Sequence, residues 1–150
     1  EGRHEFVTQA KTAGPNVFVD CLGIDSKSSA GPHHRFSVGT LFDNVKSEKL
    51  MESRFRGNSG TGHGWAGTQT CFYNCVAPDF VVKAPPGGIS WVIGSGEDEK
   101  RVAPASLYYQ QVQDRLGKDA LDRLATEQQR KNLGKYLWIK ERLENERKSE

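Results

Sequence analysis

The chain has 150 residues, enough for one domain with a real core, but only 35% are apolar and sixteen are glycine. That composition turns the reading toward strands and turns and away from a helical bundle. Twenty-one basic residues against nineteen acidic ones leave a net charge of +2, which offers no global field for nucleic acid, so any anion binding has to come from local clusters. No apolar run is long enough to span a bilayer and no signal-peptide pattern stands at the front. The text opens in E-G-R-H-E-F-V without an initiator Met, so a fragment or processed product is expected and localisation is not settled by it.

Residues 1–103 read as short strands with turns. Val17–Cys21, Thr40–Val45 and Thr70–Val76 are β-rich apolar runs, each with Asp or Asn near a Cys or Val. Aligning Asp20, Asp43 and Asn74 gives intervals of 23 and 31 residues, and a fourth strand, Ile89–Gly94, follows. Intervals of that size suggest one strand per turn of a solenoid, with the aligned Asp and Asn side chains forming a polar ladder. An ordinary β-sandwich is the competing reading, but antiparallel hairpins want shorter connections than these gaps supply.

Between the second and third strands lies R-F-R-G-N-S-G-T-G-H-G-W, Arg54 to Trp65. Its glycines predict unusual backbone angles or a close approach, and the residues between them suit anion binding and stacking. Cys21, Cys71 and Cys75 make a poor zinc pattern. On one strand Cys71 and Cys75 would lie about 13 Å apart, beyond the roughly 7 Å Cα separation a disulfide allows, so small buried thiols are expected.

Residues 104–150 read as helix. Pro104-Ala105-Ser106 precedes Leu107, Tyr108, Gln111, Val112, Arg115 and Leu116 at helical spacing, and Gly117 is placed to end that helix. Leu121, Leu124, Leu133, Tyr136, Leu137, Ile139 and Leu143 continue an amphipathic pattern, with Asn132 and Gly134 as candidate breaks. The expected role is a cap over the end of the solenoid.

Gly14–Cys21, Gly31–Phe36, Gly39–Asn44, Arg56–Gly67, Phe72–Cys75 and Pro104–Tyr108 together resemble right-handed parallel β-helix proteins of the pectin-lyase-like superfamily, over about residues 3 to 117. The resemblance implies an all-β solenoid followed by a helical C-terminal cap, with further coils N-terminal to Glu1. It implies a carbohydrate-active protein at the cell surface or outside the cell, with a polysaccharide or oligosaccharide as partner, no nucleic acid and no membrane span. The superfamily's pectate-lyase calcium motif is not present, so that site does not carry over, and a divalent cation such as calcium stays open as a cofactor.

A polysaccharide lyase neutralises a uronate carboxylate, removes the adjacent proton and protonates the leaving oxygen. Arg35, Arg54 and Arg56 could supply the charge, because the guanidinium fork matches a carboxylate. His34 or His63 could be the base, Tyr73 the proton donor, and Asn58 and Trp65 substrate contacts. His33-His34-Arg35 and the Arg56–His63 run lie about one coil apart, so convergence is expected. A glycoside hydrolase would need two carboxyl groups, for which Asp20, Asp25 and Asp43 are available, although Asp20 and Asp43 occupy the ladder. A three-histidine metal site of His33, His34 and His63 is weighed and set aside, because adjacent residues on an extended chain face opposite ways. A non-catalytic binding or adhesion module would keep Trp65 and the arginines without needing a base.

Overall fold

The computed structural model describes residues 2–97, 101–131 and 147–148; the expected break at Asn132 and the stripe from Leu133 to Leu143 lie outside them. The chain passes through four successive tiers. The first carries β1 (Val7–Thr8) and β2 (Asn16–Val19), the second β3 (Gly31–Pro32), β4 (Ser37–Val38) and β5 (Thr40–Asp43). The third carries β6 (Met51–Ser53), a short helical turn α1 (Ser59–Gly62), β7 (Gly67–Thr68) and β8 (Cys71–Tyr73), and the fourth β9 (Phe80–Val82) and β10 (Trp91–Ile93). Every pairing between these strands is parallel and joins one tier to the next: β1 with β3, β4 with β7, β6 with β9, and β2, β5, β8 and β10 in one four-stranded sheet. An Ala30–Met51 bridge ties the second tier to the third.

The four-stranded sheet sets the register. Phe18 aligns with Phe42, and Phe42 with Phe72. Their side chains share the inward face, where the rings stack with centroids 5.2 and 4.8 Å apart and planes within 20°. Phe42, Val45, Met51, Phe72 and Cys75 are fully buried there, with Phe6, Phe18 and Phe80 packed against them.

The register corrects one expectation. Val19, Asp43 and Tyr73 are partners, so the residue equivalent to Asp20 and Asn74 is Asn44, not Asp43. These three and Gly94, the next in the row, all lie at positive φ between 51° and 60°. Asp, Asn and Gly are the residues that enter this left-handed region most readily. Each strand of this sheet therefore ends at a residue that turns the chain, which is why the strands are shorter than the apolar runs that predict them.

Among the described residues three named helices follow: α2 (Leu107–Leu116), α3 (Lys118–Leu124) and α4 (Glu127–Lys131). Ser106 caps α2 by accepting from the Tyr109 amide at 3.1 Å, and Gly117 closes it at φ 83°, as the sequence predicts. None of the helices among the described residues is long and apolar enough to cross a membrane. The segment leading into α2 runs along the row of turn residues instead of over the last strand. Asn74 Nδ2 donates to the carbonyls of Val102 and Ala105 at 3.0 and 3.2 Å, and its Oδ1 accepts from the Val102 amide at 2.8 Å. Asn44 Nδ2 donates to the Ala105 carbonyl, Asp43 Oδ2 accepts from Ser106 Oγ and the Tyr108 amide, and Asp20 Oδ2 accepts from Tyr109 Oη. Trp91, Val92 and Ile93 of β10 remain 37–42% exposed.

Asp20 is the weak member of this row. Burial, opposed by the Tyr109 hydrogen bond, pushes its carboxyl up to about 6, and its buried Oδ1 has no partner among the described residues. A carboxyl whose folded pKa exceeds its unfolded value binds more protons in the native state, so it lowers stability progressively as pH rises from about 4 to 6. Asn at this position retains the turn and an acceptor for Tyr109. Asp20→Asn is expected to raise stability above pH 6 by on the order of 2 kcal/mol, and to leave it nearly unchanged near pH 4. Thermal denaturation of both proteins across this range checks it; a variant less stable at neutral pH contradicts it.

Candidate functional site: a histidine and arginine cluster

The segment from Arg54 to Trp65 leaves the stacked strands as a tight excursion between β6 and β7. Phe55 and Trp65 form an antiparallel bridge at its base, the Arg56 amide donates to the Gly64 carbonyl at 2.7 Å, and the Gly64 amide to that of Gly57 at 2.9 Å. Its glycines at 57, 60, 62 and 64 all take positive φ, as their density in the sequence predicts. At Gly60 the requirement is steric as well, because a Cβ there would stand 2.2 Å from Cε1 of His63. The imidazole thus lies directly over the Gly60 backbone.

All four histidines of the chain meet beside this excursion. His33 is the hub, with ring centroids 4.3 Å from His4, 5.5 Å from His34 and 4.9 Å from His63, and His34 and His63 are 5.1 Å apart. The cluster draws on three tiers, because parallel stacking sets residues from consecutive tiers side by side. The expected convergence of His34 with His63 is present. His4 is a member that the sequence reading leaves in strand-like text; its Nδ1 lies 2.9 Å from the Ser29 carbonyl.

The arginines divide into two kinds. Arg56 is largely internal: Nη1 lies 2.6 Å from His33 Nδ1 and 3.0 Å from the His33 carbonyl, and Nε is 4.0 Å from Glu52 Oε1. A guanidinium only donates, so His33 Nδ1 accepts and its neutral form carries the proton on Nε2. Arg54 Nε pairs with Glu52 Oε2 at 2.5 Å. Burial alone would raise the Glu52 carboxyl, but hydrogen bonds from Ser29 and Arg54 and the charges of Arg54 and Arg56 hold it below the ordinary range. Arg35 is exposed, and among the described residues its side chain bonds only a hydroxyl, Thr61 Oγ1 at 3.1 Å. It is the cation of the cluster best placed for an external anion.

Loss of hydration and the nearby Arg56 charge bring His33 down to about 4, and the same causes, with His34 and Arg35 added, hold His63 below the usual histidine value. Both are therefore neutral at pH 7. Among the described residues the buried Nδ1 atoms of His34 and His63 have no hydrogen-bond partner, which leaves Nε2 as the ring nitrogen of His63 for outside chemistry. Among the described residues no group of three His, Cys, Asp or Glu side chains is placed to hold a metal ion.

The remaining predicted site residues are spread out. Trp65 packs against Phe55 with centroids 5.2 Å apart, and Phe55 is 53% exposed. The pair is an aromatic platform beside the cluster, of which Phe55 is the half the sequence reading misses. Asn58 is exposed and its side chain makes no cap to α1. Tyr73 is not brought to the histidines: it is buried in β8 and its hydroxyl donates to the Pro104 carbonyl at 2.8 Å. Asp20 and Asp43 hold the C-terminal segment. The three cysteines are free, and burial pushes Cys21 and Cys71 up to about 11 and Cys75 to about 12. Comparison with protein-family models, curated proteins and solved structures finds no match.

Arg56→Leu removes both a cation and the donor to Nδ1, so the His33 pKa is expected to rise from about 4 toward its ordinary 6.5. Nitrogen NMR titration of the imidazoles reads this directly. No change would mean that Arg56 does not control the cluster's protonation.

Proposed function

We propose that the tiers are the coils of a right-handed parallel β-helix of the pectin-lyase-like kind, and that the chain recognises an acidic polysaccharide at the cell surface or outside the cell and cleaves it by β-elimination. The observation that supports this reading is the convergence of all four histidines with Arg35 and Arg56 on one patch. Arg35, exposed and without an acidic partner among the described residues, engages the uronate carboxylate, which withdraws charge from the adjacent carbon. Neutral His63, at Nε2, takes the proton from that carbon. The Phe55–Trp65 platform stacks on a flanking sugar ring. Arg56 and Glu52 position His33 and the excursion, and do not touch substrate. Tyr73 has no part in this scheme, because its hydroxyl is spent on Pro104; the proton for the leaving oxygen comes from solvent or from the imidazolium formed at His63.

The exposed platform also supports a second reading, a binding module without turnover. A panel of acidic and neutral polysaccharides separates the two, followed through the ultraviolet absorbance of unsaturated uronides, reducing ends and retention on immobilised polymer. Elimination is expected, with His63→Ala lowering kcat by about 10²-fold or more while retention persists, and Arg35→Ala weakening binding by about tenfold. Because His63 must be neutral, activity is lost on the acid side, at a pH below the ordinary histidine value. Reducing ends without absorbance would overturn elimination in favour of hydrolysis. Retention that depends on Arg35 and Trp65 without any product would leave only the binding module.

A further inference from the structure

A second cleft lies away from the histidines, between the outer face of the four-stranded sheet and α2. Its volume is about 420 Å³, within the range of small-molecule sites. The floor is built by register: Val17, Leu41 and Cys71 are aligned partners on consecutive strands, and all three line the cleft. Tyr108, Gln111 and Arg115 of α2 form the opposite wall. They stand three and four residues apart, so one helix face carries them. The cleft exists because the segment before α2 is held to the turn residues by Asp43 and Asn44, which suspends α2 beside the strands without filling the space over the apolar row.

The polar part of the lining is almost entirely uncharged. Arg115 is the one charged residue among those that line the cleft, and among the described residues its guanidinium has no ion pair or hydrogen bond. The side-chain amides of Gln69 and Gln111 at the rim are likewise without partners among the described residues. An apolar floor, neutral polar side chains and a single cation are complementary to a ligand with an apolar body and a single negative charge.

We propose that this cleft is a binding site for a small carboxylate ligand, with its apolar body on Val17, Leu41 and Cys71 and its carboxylate on Arg115. The site is independent of the histidine and arginine cluster and of any activity there.

The probe is 2-naphthoate, with 2-naphthamide as its uncharged counterpart, titrated calorimetrically into the intact protein. Naphthoate is expected to bind saturably and at least about tenfold more tightly than the amide. Arg115→Gln, an exposed substitution, should erase that preference, while Arg35→Ala leaves it unchanged. Location is read by alkylation at alkaline pH, since both half-buried thiols, Cys21 and Cys71, titrate at about 11. Bound naphthoate should slow modification of Cys71 and not of Cys21. The proposal fails if neither probe binds, if the amide binds as well as the acid, if Arg35→Ala rather than Arg115→Gln abolishes the preference, or if Cys71 is not protected.

Discussion

The parallel register of residues 16–19, 40–43, 71–73 and 91–93 is the constraint on which the rest of the molecule depends. Each strand ends at a residue in the left-handed region, Asp20, Asn44, Asn74 or Gly94. Because the four sit one above another, their side chains make a row that can satisfy a neighbouring backbone. Asn74 does so fully, donating and accepting. The row ends in glycine for a steric reason: a Cβ on Gly94 would stand 2.3 Å from Asn74 Oδ1. The same register drives the three phenylalanine rings together on the inner face, where they join Val45, Met51 and Cys75 in the core.

The histidine and arginine cluster follows from the stacking in the same way. Residues far apart in sequence become neighbours when their tiers are adjacent, so four histidines from three tiers share one patch. Their mutual proximity, partial burial and two nearby arginines keep His33 and His63 neutral. On the outer face of the four-stranded sheet, docking of the C-terminal segment through Asp43 and Asn44 determines where α2 stands, and with it the cleft beside it. The two surfaces differ in chemistry because different residues line them: histidines and arginines in the cluster, and an apolar row of aligned strand residues with one guanidinium in the cleft.

Much of this is legible in the sequence. The recurrent apolar run before an Asp or Asn marks three strands of the main sheet, the run Ile89–Gly94 marks the fourth, and the glycine density of Arg54–Trp65 marks a backbone at positive φ. The row was one residue out at its second position because Asp43 and Asn44 are adjacent and either suits a turn. Counting from the phenylalanines resolves it, since Phe18, Phe42 and Phe72 each stand two residues before the turn. β1, β3, β4, β6, β7 and β9 have only two or three residues, several of them Gly, Pro or Ser, too few to show a period of two. Tyr73 was assigned to the site by its chemistry alone; what decides its place is the C-terminal segment that covers it, a contact thirty-one residues away. His4 and Phe55 have no local signal and join their groups only through pairing between tiers or across the excursion.

The central claim is the register, and side-chain nuclear Overhauser contacts in protein labelled on Phe and His test it most directly. Phe42 should show contacts to both Phe18 and Phe72, and His33 to His4 and His63. Phe42 contacting neither ring, or His63 isolated from His33, would contradict the stacking on which both sites rest.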